Sequence, residues 1–199
     1  MQATMHKKNI FLILFLIAIF QQGIAQQSPI KPKIRQFRKD TIVWKKDSLL
    51  SKADFKGHPK EKNELGATAC FVFIYPSESG GNLNFHVEAV FIKSKSYLVK
   101  NSEAVLKHEQ LHFDIAELYA RKLRKQISET DFKKVRNIVD VVRKMYDKTA
   151  NDFKKEENKL DKDTQHGMNS ARQQVWVDDI ANRLTELDQF SSTEVNIVN

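Results

Sequence analysis

The stretch VLKHEQLHFDIAELYARKL, Val105 to Leu123, places two histidines four residues apart with a glutamate directly after the first. At about 100° per residue on a helix, Val105, Leu111, Ile115, Ala116, Leu118, Tyr119 and Leu123 share one arc, with His108 and His112 at its centre and Glu109 at its edge. A domain that buries this arc must bury both imidazoles too. A buried polar group without a partner costs on the order of 1–3 kcal/mol, so the pair needs something to bind. A metal ion satisfies both rings at once, because residues i and i+4 lie one above the other on a helix. HEQLH is thus an H-E-x-x-H pattern in its required helical context, with His108 and His112 as ligands and Glu109 as general base for a water at an open position. Imidazole and carboxylate ligands with an open position point to Zn2+.

Other candidates carry less chemistry. His58 and His86 read as surface histidines, and Tyr119 and Tyr146 as packing residues. Asp114 and Glu117 project away from the metal side and read as salt links or outer contacts. Cys70 is the only cysteine, so no intramolecular disulfide can form, and its apolar surroundings suggest an inert buried thiol.

The chain opens with a basic start at Lys7 and Lys8, an apolar run from Ile10 to Phe20, and small residues Gly23 and Ala25. That order predicts a signal peptide over 1–25, cleaved near Ala25, and a secreted or periplasmic protein. The run is shorter than the roughly 20 residues of a membrane span, so no stable membrane insertion is expected. The formal charge of +8 is spread through helical segments interleaved with acids, and no motif supports nucleic-acid binding.

Residues 26–40, polar with Pro29 and Pro32, read as a flexible basic leader. TIVW suggests a short strand, ATACFVFIY a strand buried on both faces and closed by Pro76, and LNFHVEAVF a half-exposed strand hairpinned to it. Three helices follow. One is capped by Asn101 or Ser102, a charged one runs from near Ser128, with Asp131 at its start, toward Leu160, and a third covers about Asn169 to Leu187. DKDTQHG reads as the break after the second, and residues 191–199 as a frayed tail. The expected fold is α+β: a small antiparallel sheet with a site-bearing helix and two further helices, in one domain over 41–190.

LLSKADFKGHP, ATACFVFIY, HVEAVFIKSKSYLV, LKHEQLHFDIAELYARKL and DKDTQHG, followed by Gln173 or Gln174 and Trp176, resemble in order the bacterial predicted secreted zinc-dependent proteases, a group placed among the zincin metallopeptidases. The family usually has a tyrosine where this chain has Leu160 and a tryptophan where it has Tyr97. The resemblance implies a zincin-like fold, zinc, and a peptide or protein substrate, with LNFHVEAVF as the edge that receives an extended peptide. The third ligand must come from outside the first helix, where the candidates are Glu156, Glu157, Asp161 and His166. DKDTQHG is the family-like block, so His166 is the expected ligand, with Asp161 orienting an imidazole. The competing reading is a non-catalytic zinc-stabilised domain that binds envelope components, to which Glu109 would be superfluous.

Overall fold

The computed structural model describes residues 38–59, 65–79, 82–99 and 102–197. The signal-peptide segment, and the leader up to residue 37, lie outside the described residues. The fold is α+β. Strands β1 (Thr41–Val43), β2 (Gly66–Ala67), β3 (Cys70–Ser79), β4 (Asn82–Ile92) and β5 (Tyr97–Leu98) precede helices α1 (Glu103–Ser128), α2 (Ile138–Thr164) and α3 (Ser170–Glu186), and β6 (Glu194–Asn196) closes the chain.

The β3–β4 hairpin is antiparallel, in register from Cys70 opposite Phe91 to Ser79 opposite Asn82. On its other side β4 pairs with β1 at one end, Ile42 opposite Phe91, and with β6 at the other, Phe85 opposite Val195. β4 is therefore the centre of the sheet and not the receiving edge that LNFHVEAVF was expected to form. Its second face is closed as well, since Asn84, Glu88 and Val90 are buried. β3 differs in the opposite sense. Val72 and Ile74 are buried while Phe71, Phe73 and Tyr75 are half-buried, so one face and not both faces the core. The strand also continues through Pro76, which an edge strand tolerates because the missing N–H breaks no ladder on the outer side.

Helix α1 runs through the middle of the molecule. Its Phe113 ring meets Phe91 of β4 at 5.9 Å between centroids, and its Tyr119 meets Phe153 of α2 at the same separation. Packed between the sheet and the other helices, it is buried nearly all round: Phe113, Ile115, Ala116, Leu118, Ala120 and Leu123 have no exposed surface. Each of the large ones contributes about 1.5–3 kcal/mol by its burial. Ser102 caps the helix by accepting from the Val105 N–H at 3.2 Å.

Two boundaries depart from the sequence reading. α1 continues to Ser128, and α2 begins only at Ile138, capped by Asn137, whose side chain accepts from the Asp140 N–H. Asp131 instead accepts from the Lys133 N–H in the turn between the helices. DKDTQHG does not break the helix at Asp161: α2 runs on to Thr164, anchored by fully buried Leu160 and Thr164, so Asp161 sits on a helix and not in a loop. The expected frayed tail is also ordered through residue 197, because Val195 and Ile197 alternate into the core while β6 pairs with β4.

Candidate metal centre

His108 and His112 project from α1 toward α2, with Nε2 atoms 3.3 Å apart. Asp161 of α2 brings its Oδ1 to 3.1 Å from each of them. These three residues form a group whose ligand atoms all lie within 4.8 Å of one another, an arrangement that could hold a metal ion. Asp161 thus stands among the donor atoms themselves, and not behind another ligand. His166 is outside that group. Its side chain is 62 % exposed, with Nδ1 3.4 Å from Asp161 Oδ1.

The local backbone explains this placement. After α2 the chain turns through three successive residues of positive φ: Gln165 (52°), His166 (54°) and Gly167 (82°). Such a run is strained for the two side-chain-bearing residues and is over-determined by its surroundings. The His166 N–H donates to the Asp161 carbonyl at 2.9 Å, and the Asn169 N–H to the Thr164 carbonyl at 2.8 Å. Gly167 passes so close to α1 that a Cβ there would lie 2.9 Å from His108 Cβ. Asn169 then caps α3, and the Gln173 amide donates to the Ala104 carbonyl, tying α3 to the start of α1.

Glu109 lies beside the cluster, only 3 % exposed. Its Oε2 is buried without a hydrogen-bond partner among the described residues, and burial pushes its carboxyl up to about 7. β2 packs directly on it: a Cβ on Gly66 would meet Glu109 Oε1 at 2.7 Å. The Thr68 hydroxyl donates to the Glu109 carbonyl at 3.3 Å and the Cys70 thiol to the His112 carbonyl at 3.3 Å, so the chain entering β3 braces this turn of α1.

The electrostatics centre on one carboxylate. Burial pushes Asp161 up, but its hydrogen bonds to His108 and His112 outweigh that and hold it well below the usual carboxylate range. Burial lowers His108. Burial pulls on His112 as well, but Asp161 and Glu157 together outweigh it and raise it. Of the two coupled rings, His112 holds a proton more readily because it alone faces a second carboxylate. The Cys70 thiol is pushed far up by burial and by Glu157 and Glu109, which fits an inert packing role.

The remaining expected residues sort clearly. Asp114 accepts from Trp44 Nε1 at 2.7 Å and from Gln110, and Glu117 holds Arg121 and Arg124, so both are links away from the cluster. Glu156 accepts from the Tyr119 hydroxyl at 2.6 Å, and Glu157 Oε1 lies 3.4 Å from His112 Nδ1. Tyr146 is half-buried and His58 is exposed. His86 is no plain surface histidine: it stacks on Tyr75 and lies between Glu88 and Glu194. Of the expected third-ligand candidates, Glu157 thus lies on the far side of His112 from Asp161, while Thr164 is a neighbour of His108 that the sequence reading does not single out, although its spacing with Asp161 on one helical face is a signal for it.

A cleft of about 310 Å3 opens at the other end of α1, with Trp44, Lys45, Arg121, Arg124 and Asp188 in its lining. Its arginines are already paired with Glu117 and Asp188, whereas Glu109 Oε2 and His112 Nδ1, at the cluster, are buried with no hydrogen-bond partner among the described residues.

Residues 93–167 match a family model described as "Bacterial protein of unknown function (DUF922)". The chain is similar to that family over a segment that holds all of α1, α2 and the left-handed turn, and so the whole His108–His112–Asp161 cluster. No curated protein and no solved structure matches the chain. Among the described residues, no helix is long and apolar enough to cross a membrane.

Proposed function

We propose that the protein is an exported zinc-dependent peptidase. The carrying observation is the convergence of two imidazole nitrogens and one carboxylate oxygen, 3.1–3.3 Å apart, next to a buried glutamate oxygen that has no hydrogen-bond partner among the described residues. Ligands about 2.0–2.1 Å from a tetrahedral zinc lie about 3.3 Å from one another, so the donor set and its spacing fit that ion. His108, His112 and Asp161 would hold it. Zinc, when bound, supplies a Lewis acid that polarises a carbonyl and makes a water acidic near neutral pH. Glu109 takes the proton of the attacking water on its carboxylate and returns it to the departing amine nitrogen, so that acyl carbon gains oxygen as the C–N bond breaks. Gly66 lies against Glu109 Oε1 and Thr68 holds the Glu109 backbone carbonyl, while burial excludes bulk solvent from Oε2.

One observation favours a second reading. His166 Nδ1 lies 3.4 Å from Asp161 Oδ1, and a fourth protein ligand there would close the site, as in structural zinc domains. Hydrolysis of a mixed peptide library separates the two readings. Wild-type protein loaded with zinc should cleave it, and Glu109→Gln should keep the zinc while losing at least a hundredfold in rate. Equal inertness of both proteins over a range of pH and peptides would favour the structural domain.

A further inference from the structure

Three residues of α2 face the two histidines, Glu157, Asp161 and Thr164, spaced i, i+4 and i+7 along one face of the helix. Asp161 meets the Nε2 atoms; the other two meet the opposite ring nitrogens. Thr164 is fully buried, and its single hydroxyl proton is donated to the Leu160 carbonyl at 2.7 Å. Its oxygen accepts from the Gly167 N–H at 3.3 Å and faces His108 Nδ1 at 3.4 Å. With the hydroxyl proton committed elsewhere, the contact with His108 is attractive only when Nδ1 carries the ring proton. At the other end His112 Nδ1 is buried and makes no hydrogen bond among the described residues, but Glu157 Oε1, an oxygen that can only accept, stands 3.4 Å from it, so that approach too is attractive only with a proton on Nδ1. The same tautomer follows for both rings.

We propose that Glu157 and Thr164 are positioning residues that hold His112 and His108 as Nδ1–H tautomers, so that both Nε2 lone pairs face the cation. This rests on the metal-site part of the function proposed above, and not on the reaction. The roles divide along one helix: the middle residue supplies a ligand oxygen, and its neighbours one turn before and after fix the rings. Removing an outer hydrogen-bond partner of a metal-ligating histidine lowers metal affinity about 10–100-fold.

The test uses the full mature chain. Zinc affinity is measured by competition with a chelator, folding of the metal-free variants by circular dichroism, and the ring nitrogens of the zinc-loaded protein by 15N NMR. Glu157→Leu and Thr164→Val should each weaken zinc binding 10- to 100-fold. Thr164→Ser should restore it and Glu157→Gln should restore part, and the wild-type spectrum should show protonated Nδ1 on both rings. If Thr164→Val or Glu157→Leu fails to fold, the conservative pair and the wild-type spectrum decide. Zinc affinities of the folded variants within twofold of wild type, or a wild-type spectrum with protonated Nε2 on either ring, would overturn the proposal. A wild type that binds zinc through Nε2 yet cleaves no peptide overturns the hydrolase reading alone and supports the positioning roles; a wild type that binds no zinc overturns both.

Discussion

Glu109 and His108 each have a glycine pressed against them, and at both places a single methyl group is too much. A Cβ at Gly66 would lie 2.7 Å from Glu109 Oε1 and 3.1 Å from Val105 Cγ1. Gly66→Ala should therefore displace the carboxylate while sparing the histidines: zinc content unchanged, peptide hydrolysis at least tenfold slower in a steady-state assay. At Gly167 two penalties combine, a φ of +82° and a 2.9 Å approach to His108 Cβ. Gly167→Ala should lower stability by about 1–3 kcal/mol in urea denaturation and weaken zinc binding as well. The paired histidines and Glu109 were legible in the sequence because their signal is local, five consecutive residues on an apolar helix. Gly66 was not, since a contact between residues so far apart in the chain leaves no local mark. Asp161 is half legible: the sequence points to it as part of the site but behind His166, because DKDTQHG, with a histidine before a turn glycine, reads as the break after a helix that in fact continues through Thr164.

At the level of elements, the site depends on how α1, α2 and α3 are held together. Glu156 of α2 accepts from Tyr119 of α1 at 2.6 Å and from both terminal nitrogens of Arg183 of α3, at 2.5 and 3.0 Å. Burial pushes Glu156 up, but Arg183 and Tyr119 outweigh it and hold its carboxyl below the ordinary range. A carboxylate with a depressed folded-state pKa stabilises the fold above its unfolded value, and that contribution is lost as pH falls toward the folded one. Glu156→Gln should then melt below wild type at pH 7, with the gap closing as the pH drops below about 4; a gap independent of pH would mean the ion pair is not what links the helices. These helices were legible as helices from their apolar periodicity, and their caps at Ser102 and Asn169 follow from side chains suited to accept backbone N–H groups. The start of α2 was not, because Asp131 and Asn137 are both good capping residues and only tertiary packing chooses between them.

For the whole molecule, the chain closes on itself at the sheet. β6 covers one end of β4, and Val195 and Ile197 are 6 % and 4 % exposed, although the sequence there looks polar and small. Three apolar residues in nine, Val195, Ile197 and Val198, two of them adjacent, give too weak an alternation to read as a strand; pairing with β4 decides it. Ending the chain at Ser192 should cost about 3–6 kcal/mol of stability, the burial of the Val195 and Ile197 side chains, as measured by urea denaturation. Export is tested at the same scale: the amino terminus of protein recovered from the envelope fraction should be Gln26. The central claim is that His108, His112 and Asp161 hold a zinc ion with a position left for water beside Glu109. Anomalous diffraction at the zinc edge, from crystals of the mature chain grown with one equivalent of zinc, tests it most directly. The account predicts a single peak bonded to both Nε2 atoms and to Asp161, with His166 turned away and a water facing Glu109; no peak at that point, or a zinc closed by His166 as a fourth protein ligand, would contradict it.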